Sequence, residues 1–320
     1  MANRLVAAFI GRGGVDAMAD YRFFFDAMAC HCEIRVVAPD EATAGHWATA
    51  AIAEVHRIEH KYSRYRNDSV VGRINAAAGQ HWVDCDEETL SLLAYAESLF
   101  HASAGLFDIT SGVLRKAWDF RNARLPDADF LRRLCAQVDW NQLECEGMRV
   151  RLARTDMEID FGGFGKEYAA DRAASVLVAS GATGGYVNLA GDVCVMGPRP
   201  NGDPWAIGIQ HPRNAACVVA TIPVHRGGLA TSGDYERYFE HDGKRYCHVL
   251  DPRTGYPVTH WQSVSALAPT ALAAGSCTTI AMLKQAQAID FLEKNGLVYV
   301  AVDAQGKIHR DQPRPSPDDS

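Results

Sequence analysis

Residues 231–255 read TSGDYERYFEHDGKRYCHVLDPRTG. Two runs rich in strand formers, Glu236–Glu240 and Arg245–Leu250, flank Asp242-Gly243. That dipeptide suits a two-residue hairpin turn, because both of its positions need a left-handed backbone. Polar clusters lie on either side. Thr231, Ser232 and Gly233 precede the hairpin, and His248 with Asp251-Pro252-Arg253-Thr254-Gly255 follows it. His248 is a candidate proton acceptor near neutral pH. The segment 251–255 reads equally well as a plain turn after a strand that His248 ends. From 185 to 268 the pattern is mostly short strands, so this half of the chain is predicted to be β-rich.

Helices are predicted around it. Trp47, Ala51, Val55, Ile58 and Tyr62 recur every three or four residues and give one apolar face to a helix over 43–62. A second is predicted over 87–103, capped by Asp86, with Leu90, Leu93, Ala94 and Phe100 inward. A short helix over 126–138 follows Pro126. Another over 165–180 stops at Gly181, and a last one covers 270–294. Cys30–Val37, Arg149–Asp160 and Leu297–Asp303 read as strands. The tail from Gln305, with three prolines, is expected to be disordered. Neither an internal repeat nor a separating linker is visible.

Composition narrows the class. The chain has 320 residues, 48% hydrophobic and 22% charged, as expected of a globular protein. Its net charge is −7 with no basic stripe, which argues against nucleic acid as a partner. No run approaches the roughly 18 apolar residues of a membrane span. Leu5–Ile10 falls short of the roughly 7–15 residues of a signal-peptide core, so a cytoplasmic location is expected. The nine cysteines are scattered and form no CxxC, which argues against a disulfide framework. Cys30, His31, Cys32, Cys247 and His248 have the residue types of zinc ligands. Neighbouring strand residues face opposite ways, so His31 would not join Cys30 and Cys32.

Two further segments carry chemistry. Asp160-Phe-Gly-Gly-Phe-Gly-Lys166 lies between a strand and a helix, where glycines admit a ligand to the backbone and a helix N-terminus attracts anions. It is not a P-loop, because Asp160 and Glu167 occupy positions where that motif needs glycine and Ser/Thr. Gly105-Leu-Phe-Asp-Ile-Thr110 places Asp108 where a turn residue is expected.

Together and in order, these segments resemble the ApbE family, the FAD:protein FMN transferases. The matching pieces are Ser63-Arg-Tyr-Arg-Asn-Asp-Ser69 with Asn75, Gly105–Thr110, Asp160–Tyr168 with Asp171, Asn188-Leu-Ala-Gly-Asp192, Thr231–Tyr235 and His248–Gly255. The likeness runs from about Met28 to Val302. It implies an α+β fold with a T-fold-like antiparallel core and packed helices. The corresponding domain is 28–303, with 1–27 as an N-terminal extension and 304–320 as a tail. It implies cleavage of the FAD pyrophosphate, transfer of FMN to a Ser or Thr hydroxyl of a target flavoprotein, and release of AMP with help from Mg²⁺. Carried over by position, Met28, Tyr65, Leu106, Phe107, Asp108, Gly162, Tyr168 and Leu250 would line the FAD site. Thr231, Ser232 and Gly233 would border the pyrophosphate. His248 would activate the incoming hydroxyl, with Thr279 beside it, and the Gly165 carbonyl, Thr278 and Thr279 would be metal ligands.

Three positions depart from the family pattern. Gly275 stands where the metal-binding aspartate is expected, Glu167 replaces a glycine after Lys166, and Met28-Ala29-Cys30 replaces Met-Gly-Thr. Neutral hydroxyls and carbonyls alone hold Mg²⁺ poorly. Asp160, Asp192 and Asp251 are candidates to replace the lost carboxylate. Two alternatives therefore stand beside the transferase: a flavin-binding paralogue without turnover, and hydrolysis of FAD to FMN and AMP.

Overall fold

Strand side chains alternate between faces, so a strand that is apolar at both parities must be covered on both sides. Strands of that kind form the centre of this protein. The computed structural model describes residues 18–311 and the backbone of residues 6–10. In chain order the strands are β1 (Val6–Ile10), β2 (Ala19–Ala27), β3 (Cys30–Ala38), β4 (Val83–Asp84), β5 (Leu143–Glu146), β6 (Arg149–Leu152), β7 (Gly185–Leu189), β8 (Asp192–Gly197), β9 (Trp205–His211), β10 (Asn214–Val224), β11 (Gly227–Gly233), β12 (Tyr238–His241), β13 (Lys244–Cys247), β14 (Trp261–Ala268), β15 (Val298–Asp303) and β16 (Ile308–Arg310). The helices are α1 (Glu41–Tyr62), α2 (Val70–Ala76), α3 (Glu87–Ser103), α4 (Ala128–Cys135), α5 (Gly165–Ala179), α6 (Ala271–Lys284) and α7 (Ala288–Lys294). The fold is α+β.

One sheet runs in the order β1-β2-β3-β7-β8-β11-β14-β15-β16. Every neighbouring pair is antiparallel. Ile34, Val36 and Met196 point to the face covered by α1, α5 and α6. Val37, Val193, Val195 and Leu229 point to the other face, where Trp205 and Ile209 of the β9–β10 hairpin complete a second core. Trp118, Leu131, Leu134 and Phe239 form a third core under the β12–β13 hairpin.

Local chemistry explains most boundaries. Asp40 accepts from the Thr43 backbone N–H at 2.8 Å, so α1 starts at Glu41 rather than at 43. Asp86 caps α3 as expected, accepting from Thr89. The predicted hairpin is present, with Asp242 at φ 49° and Gly243 at φ 71°.

Four expectations need correction. The helix expected over 270–294 breaks at Gln285, which has φ 49° and whose carbonyl accepts the Trp261 indole N–H at 2.6 Å. Arg149–Asp160 gives only β6. Ile159 instead belongs to a loop held by the Asn75 amide, through bonds of 2.8 and 3.0 Å. The tail does not lose its order at Gln305, because β16 pairs with β15 and His309 bonds Asp303. Residues 312–320 lie outside the described residues. Residues 19–27, read as part of an extension, form strand β2 of the main sheet.

The seating of α6 is fixed from two sides. A Cβ at Gly228 of β11 would stand 2.1 Å from the Ala271 nitrogen, so glycine lets α6 start against the strand. The Asp171 carboxylate on α5 accepts from the backbone N–H groups of Ala271 and Leu272, each at 2.9 Å. Replacing Asp171 with Ala leaves those donors without their carboxylate. Urea denaturation should show a loss of about 1–3 kcal/mol. The β2–β3 turn carries strain of another kind, with Met28 at φ 53° and Ala29 at φ 61°. Ala29→Gly should raise stability by about 0.5–1 kcal/mol in the same assay, because glycine meets no Cβ penalty there.

Candidate active site

The glycine-rich loop is built from both ends. Asn75 grips Ile159, and the Arg64 guanidinium pairs with Asp160. Asp160 also accepts from the Gly162 N–H at 2.9 Å. Phe161 and Phe164 bury their rings, and Phe164 stacks with Phe107 at 6.2 Å between centroids. A Cβ at Gly163 would come within 3.0 Å of the Phe107 ring, so the loop needs glycine there to pass over it. The loop then delivers the first turn of α5.

Lys166 in that turn places Nζ 2.6 Å from Asp192 Oδ2 at the start of β8. Asp192 also accepts from the Thr231 backbone N–H, which joins β8 to β11. Burial works against the Lys166 ammonium. The nearby charges, that of Asp192 first, oppose this and raise the group, which stays protonated. Burial likewise pushes the Asp192 carboxyl up, and Lys166 opposes that.

His248 follows β13, and its backbone N–H donates to the Arg237 carbonyl at 3.0 Å. His248 is exposed to solvent, with protein atoms packed around it. That crowding, then the positive charges of Arg237, Lys166 and Arg64, push the imidazole down to about 4. It is therefore neutral at pH 7 and able to accept a proton.

The hydroxyls converge as well. Ser232 Oγ on β11 lies 2.9 Å from Thr278 Oγ1 and 3.1 Å from Thr279 Oγ1 on α6. Thr278 also donates to the Gly275 carbonyl at 3.0 Å. Thr231 Oγ1 lies 2.7 Å from Ser265 Oγ. Glu167 fills the space over Gly275, because a Cβ built there would meet Glu167 Oε1 at 2.3 Å. Glu167 is only 6% exposed, and its Oε2 has no hydrogen-bond partner. Burial and the nearby Asp192 charge push that carboxyl up to about 8. Among the described residues no cluster of three His, Cys, Asp or Glu side chains has metal-ligand spacing. The oxygens assembled here are of mixed kind, carboxylate and hydroxyl, and such hard donors suit Mg²⁺.

The other residues carried over by position are spread around this centre. Tyr65 is 73% exposed, and its hydroxyl accepts from Arg64 at 2.8 Å. Met28 sits in the β2–β3 turn, its N–H donating to Glu59 at 2.6 Å. Leu106 and Phe107 are buried in the core. Asp108 closes its own turn by accepting from Thr110 N–H and Oγ1 at 2.8 and 2.7 Å, and burial raises its carboxyl. Tyr168 donates to Glu88 at 2.7 Å, on the side of α5 that meets α1 and α3. Leu250 packs on the Trp118 core. Asp251–Gly255 is a turn: Asp251 accepts from Arg253, and Gly255, at φ 72°, accepts the Trp118 indole N–H at 2.9 Å. Gly162 is exposed, and Gly165 has open space where a Cβ would lie.

Lys166, Asp192 and Arg64 stand inside the sequence motifs, yet nothing in those motifs assigns them a role. A lysine and a buried aspartate 26 residues apart carry no local signal that they pair. An open depression of about 360 Å³ lined by Arg213, Asp234, Lys244 and Arg245 lies elsewhere and includes none of these groups.

The model of the ApbE family matches residues 28–301. An FAD:protein FMN transferase of Klebsiella pneumoniae is 30% identical over 88% of this chain and 83% of its own length. One from Treponema pallidum is 31% identical over 86% and 82%. The crystal structure of the ApbE protein of Thermotoga maritima superposes with a TM-score of 0.85 at 32% identity, covering 92% of this chain and 97% of that one. The apo flavinyl transferase ApbE of Pseudomonas stutzeri gives 0.83 at 28% identity, covering 94% and 97%. A family match across residues 28–301, with a shared fold over nearly the whole chain, makes this chain a member of the ApbE family.

Proposed function

We propose that this chain is an FAD:protein FMN transferase that acts on a Ser or Thr hydroxyl of a target flavoprotein. The observation that carries the reading is Lys166 held at 2.6 Å by Asp192, which also bonds Thr231 next to the Ser232, Thr278 and Thr279 hydroxyls, with His248 within reach of the same lysine's charge. A pyrophosphate needs cationic partners, and a hydroxyl nucleophile needs a base; these side chains offer both.

In the step this implies, the acceptor oxygen attacks the phosphorus on the FMN side. A new P–O bond forms to the protein, and the bond from that phosphorus to the bridging oxygen breaks. AMP leaves with the bridging oxygen, and the hydroxyl proton passes to His248. Lys166, tied to Asp192, presents a fixed positive charge to the phosphates. Ser232, Thr278 and Thr279 would hold a divalent cation together with backbone carbonyls such as that of Gly165. When bound, such an ion neutralises charge on the phosphate oxygens.

Purified protein with FAD, Mg²⁺ and an acceptor domain should release one AMP per FMN attached. AMP without acceptor modification would point to hydrolysis instead, and bound FAD without AMP would overturn turnover altogether. His248→Ala should lower kcat by about 10²–10⁴-fold. The pH profile tests the charge argument. Free protein holds His248 at about 4, so the acid limb of kcat/KM should fall there. Two phosphates placed beside Lys166, Arg237 and Arg64 favour the protonated imidazole. The acid limb of kcat should therefore lie about one pH unit or more higher.

A further inference from the structure

Gly275 lies in the interior of α6, where glycine weakens a helix by about 1 kcal/mol relative to alanine. The structure shows what that glycine admits. The space its Cβ would fill holds the Glu167 carboxylate, reaching across from α5. Positions 275, 278 and 279 share one face of α6, since residues three and four apart are neighbours on a helix. Glu167 therefore stands on the face that carries Thr278 and Thr279, with Ser232 of β11 closing the other side. Its Oε2 is buried and without a partner, which is costly for an acid unless something absent from the chain completes it.

Glu236, whose charge reaches Lys166 and Asp192, is exposed to solvent, and the aspartates of the neighbourhood are already engaged. Asp160 is held by Arg64, Asp192 by Lys166 and Asp251 by Arg253. Asp171 is used by the first N–H groups of α6. We infer that Glu167 is the charged ligand of a divalent cation at the α5–α6 junction, and that Glu167 and Gly275 form an exchanged pair. The carboxylate comes from α5 and the empty position from α6, where the opposite arrangement would serve equally. This rests on the transferase reading for the purpose of the ion, but not for its binding.

The test reads metal binding directly. Mn²⁺ is titrated into the full chain by electron paramagnetic resonance, with and without FAD, and Mg²⁺ is used to displace it. The wild-type chain should bind one Mn²⁺ that Mg²⁺ displaces. Glu167→Gln keeps the shape and removes the charge; it should weaken Mn²⁺ by about tenfold or more. Gly275→Asp alone should lower the unfolding midpoint, because its side chain collides with Glu167. The double variant Glu167→Gly with Gly275→Asp should recover that midpoint and bring Mn²⁺ affinity to within about threefold of wild type.

Unchanged Mn²⁺ affinity in Glu167→Gln overturns the inference. So does a wild-type chain that holds no Mn²⁺ even with FAD, or a folded double variant that does not recover affinity. AMP release is scored separately. Mn²⁺ bound through Glu167 without AMP release would sink the transferase reading and leave the metal site standing. AMP release with Glu167→Gln binding Mn²⁺ normally would do the reverse.

Discussion

Asp171 joins the two halves of the site. It projects from α5 and accepts from the first two N–H groups of α6, so the helix carrying Lys166 and Glu167 and the helix carrying Gly275, Thr278 and Thr279 share one frame. Free N–H groups at a helix start must find acceptors, and a buried carboxylate is a strong one. Gly228 makes the same seating possible from the strand side, by letting α6 begin against β11. This joint, with the packing of α6 on β11, sets the hydroxyls of α6 in relation to the charges of α5.

The charges then follow an order set by burial. A buried ion survives only when paired, so Lys166 with Asp192 and Arg64 with Asp160 appear as couples, each joining segments far apart in sequence. Packing around His248, and then the positive charges of Arg237, Lys166 and Arg64, disfavour its protonated imidazole. The same charges would attract a pyrophosphate. Binding and base chemistry are therefore linked through one cluster, and the buried carboxylate left with an unpartnered oxygen is that of Glu167.

Much of the site was legible from particular residues. Asp242-Gly243 announced its hairpin, Asp86 its helix, and the ordered motifs announced the family. What failed to show was pairing. The departures at 167 and 275 read along the chain as two separate losses, one at each end of the site. The three aspartates that could have stood in for the lost carboxylate are each held by an arginine or lysine. The break at Gln285 was equally invisible, because neither proline nor glycine marks it and its cause is a tertiary bond from Trp261. Phe107 has a flat ring suited to a flavin, but packing turns that ring onto Phe164 and under Gly163.

The sequence alone determined the periodicities, caps and turns, and the ordered motifs that mark the family and through it imply the α+β class. These depend on contacts within a few residues, or on residue identity itself. Only the tertiary structure decided which acid meets which base, and which position opposite Glu167 must stay without a side chain. Those outcomes depend on distances between α5, α6, β8 and β11, which are far apart along the chain. Burial makes the energy of each charge depend on the partners that folding brings within reach.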